Sequence, residues 1–240
     1  MFAVISDVHS NLEALQAVLD DIRSRGIKDI LFLGDAVGYG PDPDDVVKLL
    51  RKHCKVLLAG NHDWAVIDYT PVEYFNEYAR KAVEWTRDVI DNETFEALKE
   101  FKLIKVLKDK NLFCVHSTPK DPDSWNYILT LYDAEINFHY FEQQICLIGH
   151  SHRPVIIERL PTGELLTYRD STEINKTSRY IVNVGSVGQP RDGDPRAAYA
   201  VLTDEKVEIV RIPYDIKSTQ KKMQRYGLPK ILIERLQRGM

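Results

Sequence analysis

Met1-Phe2-Ala3-Val4-Ile5-Ser6-Asp7-Val8-His9-Ser10-Asn11 opens the chain. Phe2 to Ile5 form an apolar, strand-like run, and two metal-capable side chains, Asp7 and His9, follow it. Asn11 is placed to cap a helix, because its short side-chain oxygen can accept from the free amides of a first turn. Behind it Leu12, Leu15, Val18, Leu19 and Ile22 recur at helical spacing, so the helix extends from Asn11 to about Arg25. The alternation continues with a strand at residues 30–33, a helix at about residues 43–52 and a strand at residues 56–59. This βαβαβ order predicts a parallel sheet whose post-strand loops share one edge.

Further along, residues 72–101 again carry a helical pattern, broken near Asp91-Asn92, and read as a helical layer or cap. The second half changes period. Strand-like runs fall at residues 102–107, 112–115, 145–148, 155–159, 165–168, 181–184, 198–202 and 207–212. Pro161-Thr162-Gly163 and Thr203-Asp204-Glu205 look like hairpin turns, so this half is predicted to be mostly antiparallel. Two facing sheets, each covered by helices, fit the order best. No repeat, low-complexity tract or Gly/Ser linker marks a boundary, so residues 1–240 are read as one domain. Its tail, about residues 215–240, is basic and helical, divided at Pro229, and can pack on the core or pair with another copy in a homo-oligomer.

The ends of the strands carry the chemistry. Asp7-Val8-His9 follows the first, Gly34-Asp35 the second and Gly60-Asn61-His62-Asp63 the third; His116 and Gly149-His150-Ser151-His152 follow later ones. Five of the seven histidines fall in these segments; His53 and His139 lie outside them. In open α/β sheets ligands bind beyond the carboxyl ends of the strands, where loops distant in sequence converge. Carboxylates mixed with imidazoles suit manganese, iron, zinc, cobalt or nickel better than calcium or magnesium, which prefer oxygen. A shared carboxylate such as Asp35 can bridge two cations about 3.5 to 4 Å apart, which lower the pKa of a bridging water and clamp phosphoryl oxygens. Gly34, Gly60 and Gly149 each precede a proposed ligand, where the backbone must turn tightly or approach closely; an ordinary strand-end turn is the plainer reading.

This ordered series resembles the calcineurin-like metallophosphoesterase family, and the resemblance spans most of the chain. It implies an α-β-β-α sandwich of two mixed sheets. It also implies that Asp7, His9, Asp35 and His152 hold one metal, and that Asp35, Asn61, His116 and His150 hold the other, manganese being first among the candidates. His62 would be the catalytic histidine that stabilises or protonates the leaving group. One departure stands out. Phosphoprotein phosphatases of the family place an Asp-Arg pair after the Gly-Asp, whereas this chain has Gly38 and Tyr39 there. The segment looks more like the small prokaryotic phosphodiesterases and dinucleoside-polyphosphate hydrolases, in which Tyr39 could stack on a base or simply pack in the loop. Within residues 183–192, Arg191 could bind a phosphate or pair with Asp192 or Asp194. Trp64, Trp125 and Tyr127, close in sequence to proposed ligands, are candidates for the pocket wall or for the core.

Bulk properties narrow the partners. Hydrophobic residues make up 44% and charged residues 28%, and no apolar run approaches the roughly 20 residues of a membrane span. The N-terminus enters a strand at once, without the basic region and cleavage site of a signal peptide, so a cytoplasmic location is expected. The net charge of −4 offers nucleic acid no general attraction. A small phosphate ester, nucleotide-like, is therefore the expected substrate. A metal-binding scaffold and a nuclease subunit are the alternatives, and retention of His62 speaks for catalysis.

Overall fold

Alternate residues of the first strand enter different cores. In the computed structural model, which describes residues 1–240, β1 (Phe2–Ile5) sends Ala3 and Ile5 to one side and Val4 to the other. The outer side meets α1 (Leu12–Ser24) and α2 (Pro43–His53), whose buried stripes are Leu15, Val18, Leu19, Ile22 and Val46, Val47, Leu50. Asn11 caps α1 as expected, accepting from the amide of Ala14 at 3.2 Å.

Parallel pairing joins β1 to β2 (Ile30–Phe32) and β2 to β3 (Val56–Leu57), the βαβαβ unit read from the sequence. On its other edge β1 pairs antiparallel with β11 (Ala197–Leu202), which pairs with β12 (Lys206–Ile212) and, through it, with the short β9 (Ser171–Glu173). The second sheet runs β4 (Ile104–Leu107), β5 (Leu112–Val115), β6 (Ile145–Ile148), β10 (Arg179–Asn183), β7 (Val155–Arg159), β8 (Leu165–Tyr168).

The expected antiparallel pairing holds for most of this half, β4 with β5, β10 with β7, β7 with β8 and β11 with β12, while β5, β6 and β10 form a parallel core within it. The helical crossover between β5 and β6, α6 (Leu131–Asn137), is seven residues long, too short to show a helical period, and Ser171–Glu173 is too short and polar to read as a strand. Leu112 and Cys114 face the first sheet together with Val4, Leu31 and Leu33, while Phe113, Val115 and Cys146 face outward against Phe138 and Phe141 near α6. The layers are therefore helices, sheet, sheet, helices.

The remaining helices frame the strand ends. α3 (Asn61–Val66), α4 (Glu77–Val89) and α5 (Asn92–Glu100) cover the first sheet, with α4 against α3 and α5 against α2. In the tail, α7 (Ile216–Arg225) and α8 (Lys230–Arg235) meet on either side of Pro229 and place Met223, Leu228, Leu232 and Leu236 against Ala79, Ala82 and Tyr39. No helix is long and apolar enough to cross a membrane.

Candidate metal centre and its pocket

The loops after β1, β2, β5 and β6 meet at the carboxyl ends of both sheets and bring together Asp7, His9, Asp35, His116, His150 and His152. Their donor atoms fall into two groups, Asp7, His9, Asp35 and His152 in one and Asp35, His116 and His150 in the other, each within 4.8 Å. Asp35 belongs to both. Five of these residues, Asp7, His9, Asp35, His150 and His152, sit in the left-handed backbone region, with φ between 49° and 64°. Each such residue stores roughly 1 to 3 kcal/mol of strain that the surrounding structure must hold.

That surrounding structure is a set of hydrogen bonds. Asp7 Oδ2 accepts from the amide of His150 at 3.0 Å, and Asp35 Oδ1 accepts from the amide of His62 at 2.9 Å. Each carboxylate is thereby anchored by one oxygen and presents the other inward. Asp63, fully buried, accepts the amides of Asp35, Ala36, Val37 and Gly60 at 2.8 to 3.1 Å, tying the second ligand loop to the start of α3. Burial pushes its carboxyl up to about 7, helped by Asp35 and opposed by these amides. Four N–H donors on two oxygens leave no acceptor for an acid proton, so the geometry suits the ionised form.

The histidines are oriented by carbonyl oxygens. His9 Nδ1 donates to Val37 at 3.0 Å, His116 Nδ1 to Leu33 at 3.1 Å and His152 Nδ1 to Gln189. A carbonyl only accepts, so each Nδ1 carries a proton and Nε2 is the atom turned toward the cluster. His150 is reversed: Nε2 donates to Trp125 at 2.9 Å and Nδ1 is free. This is how ligating histidines are fixed around metals.

The donor set fits two cations. His9 Nε2 and His152 Nε2 lie 3.1 Å apart with two lone pairs between them, and His152 Nε2 is 3.1 Å from Asp7 Oδ1. His116 Nε2 is 3.3 Å from Asp35 Oδ2, and His9 Nε2 is 3.6 Å from the same oxygen. Asp7 Oδ1, His116 Nε2 and Asn61 Oδ1 are buried without any hydrogen-bond partner. Burial alone would raise Asp7 and Asp35, but His152 and His116 around the one, and His116 and His62 around the other, hold both below the usual carboxylate range. Burial pushes the His116 imidazole down, and Asp35 and Asp7 outweigh it, holding it up at about 9. The pocket thus favours positive charge at the point where the ligand atoms converge.

A sequence pattern decides the lineage: residues 1–206 match the calcineurin-like phosphoesterase superfamily domain. The chain belongs to that superfamily. An uncharacterised protein of Methanocaldococcus jannaschii is 42% identical over 240 residues, covering 98% of this chain and 97% of its own. Phosphodiesterase YfcE of Escherichia coli K12 is 24% identical over 220 residues, covering 88% and 91%. The crystal structure of a metallophosphoesterase from Sphaerobacter thermophilus superposes with a TM-score of 0.87 at 38% identity, over 100% of this chain and 98% of that one.

Beside this phosphoesterase donor set lies a cavity of about 350 Å³, lined by Asp35, Asn61, His62, His150, His152 and Arg191 and walled by Tyr74, Phe75, Trp125 and Tyr127. His62 is buried with its Nδ1 unpartnered, and its ring packs on Tyr39 and Phe75 at centroid distances of 4.4 and 4.9 Å. Burial lowers its pKa to about 4 against the pull of Asp35, with Arg191 lowering it further. A Cβ at Gly38 would come within 2.4 Å of His62 Nδ1, and Gly38 has φ +84°. Glycine here leaves room for the ring where a phosphoprotein phosphatase would carry an aspartate.

Tyr39 is packed rather than open. Only 6% exposed, it lies against His9 at 4.6 Å, against His62, and under the Arg191 guanidinium at 5.5 Å, leaving little face for a base. Arg191 pairs with neither Asp192 nor Asp194, which bond instead to Arg211 and Arg196; it donates to Gln189 Oε1 and lines the cavity. Trp125 and Tyr127 both line it, Tyr127 stacked on His150 at 4.0 Å, whereas Trp64 packs edge-on behind Trp125. His53 and His139 belong to neither donor group. The part that Tyr74, Phe75, Asn76 and Ala79 play in the wall is not legible in the sequence, where Tyr74 reads only as apolar surface of the helical layer, because it depends on how the start of α4 and the segment before it fold back over the strand ends.

Proposed function

We propose that this phosphoesterase hydrolyses a small, nucleotide-like phosphodiester or related phosphate ester using two divalent transition-metal ions, manganese first among them. The membership of Asp35 in both donor groups carries this reading, with four histidines already oriented around it. In the proposed assignment Asp7, His9, Asp35 and His152 hold one cation, and Asp35, Asn61, His116 and His150 hold the other. Bound there, the pair would supply Lewis acidity to the phosphoryl group and water of lowered pKa. Arg191 orients the anionic group by its planar fork. His62 is neutral before substrate enters; a phosphate beside it favours its protonated form, and from that position it gives a proton to the departing oxygen. The aromatic wall of Tyr74, Trp125 and Tyr127 suits a planar leaving group.

The metal-stripped protein, reconstituted with manganese, is expected to hydrolyse bis(p-nitrophenyl) phosphate. An absence of turnover with manganese, iron, cobalt, nickel and zinc alike would favour a metal-binding scaffold.

A further inference from the structure

The superfamily match ends at residue 206, yet the tail beyond it reaches the loop that carries Arg191. Gln189 is 2% exposed and does three things at once. Its carbonyl oxygen accepts from His152 Nδ1. Its Oε1 accepts from Arg191 Nη2 at 2.8 Å and Nε at 3.2 Å, and also from Nη1 of Arg235, in α8, at 3.3 Å. A second tie lies a few residues on, where the amide of Gly193 donates to the carbonyl of Gly239 at 2.9 Å. The tail therefore grips this loop on both sides of Arg191.

The charges make the arrangement unusual. Two guanidinium groups share one amide oxygen, and neither Arg191 nor Arg235 has a carboxylate within salt-bridge distance. Arg235 is half-buried, and its Nε is buried without a partner, as is Nε2 of Gln189. Two cations held together without a counter-ion repel each other, and an anion beside them relieves the repulsion. The catalytic cavity that Arg191 lines is where such an anion enters.

We propose that the C-terminal tail is a positioning element of the active site, with Arg235 acting through Gln189 to hold Arg191 and its positive field toward the substrate phosphate. Arg235 itself does not line the cavity and is not a catalytic residue. The inference rests on the proposed function only in taking a phosphate as the group Arg191 meets.

The test compares wild type, Arg235→Met, Arg235→Lys, Arg191→Met and the Arg191→Met/Arg235→Met double variant, all loaded with manganese. Calorimetry reads the Kd for orthophosphate, and turnover of bis(p-nitrophenyl) phosphate reads KM and kcat. Arg235→Met should weaken phosphate and raise KM by roughly 5- to 10-fold, keep kcat within about twofold and keep its metal content. Arg235→Lys should fall between it and wild type, and the double variant should bind phosphate no more weakly than Arg191→Met alone, since the two groups act as one unit. Wild-type phosphate affinity in Arg235→Met, with only a lowered Tm, would overturn the proposal, as would additive losses or a wild type that binds no phosphate. Should wild type bind phosphate with the predicted pattern but hydrolyse nothing, the proposed activity falls and the role of the tail stands.

Discussion

The floor and the wall of the cavity are built by different means. The floor is made of short loops at strand ends, buried and strained, in which Asp7, Asp35 and the four histidines are each anchored by a hydrogen bond at one atom and presented by another. The wall is made of side chains from longer connections, and two of its aromatics are open, Tyr74 at 81% exposed and Tyr127 at 47%, while Phe75 and Trp125 are half-buried. Chemistry that needs fixed donor distances is placed on the rigid part, and choice of substrate on the part that can vary without disturbing it. Substitutions in the floor should therefore change metal content or kcat, and those in the wall KM.

Asp35→Ala should give the largest effect, because it removes an oxygen common to both donor groups. Metal content by plasma mass spectrometry is expected to fall to one equivalent or less and turnover to background, a loss of several kcal/mol in transition-state stabilisation. His62→Ala comes next: kcat should fall roughly 10²- to 10⁴-fold with metal content intact. An unchanged rate would remove His62 from the proton-transfer role.

A pH dependence tests the floor without mutation. His116, held up at about 9 in the metal-free protein, carries a proton at neutral pH, and that proton must leave before Nε2 can bind a cation. Manganese affinity should therefore rise by up to tenfold per pH unit between about 6 and 9 and flatten above that; calorimetry in buffers of different ionisation enthalpy should show about one proton released per chain at pH 7. The smallest effect belongs to the wall: Tyr74→Ala should raise KM for an aryl phosphodiester a few-fold, about 1 kcal/mol, and leave kcat alone. A fall in kcat without a change in KM would blur the division between the two parts.

The two parts also differ in how much of them could be read from the sequence. The floor was legible because its residues come in fixed short spacings at the ends of apolar runs, such as Asp7-Val8-His9 after Phe2–Ile5. The first sheet was legible for a related reason: helical and strand periods alternate cleanly through residue 59. Asp63 stands within a recognised motif, but three of its four amide contacts depend on the fold of the loop after β2. Two mixed sheets were implied by the resemblance, but which strands of the second run parallel is not legible, because β5 and β10 flank β6 through long connections that leave no period in the sequence. The wall and the Gln189 to Arg235 contact were hidden for the same reason: they join residues 46 positions apart, or loops whose conformation nothing local dictates.

Anomalous-difference density from crystals soaked in manganese tests the central claim most directly. Two peaks about 3.5 to 4 Å apart are expected, both contacting Asp35, one also meeting Asp7, His9 and His152 and the other Asn61, His116 and His150. A single peak, or two that do not share Asp35, would contradict the dinuclear account.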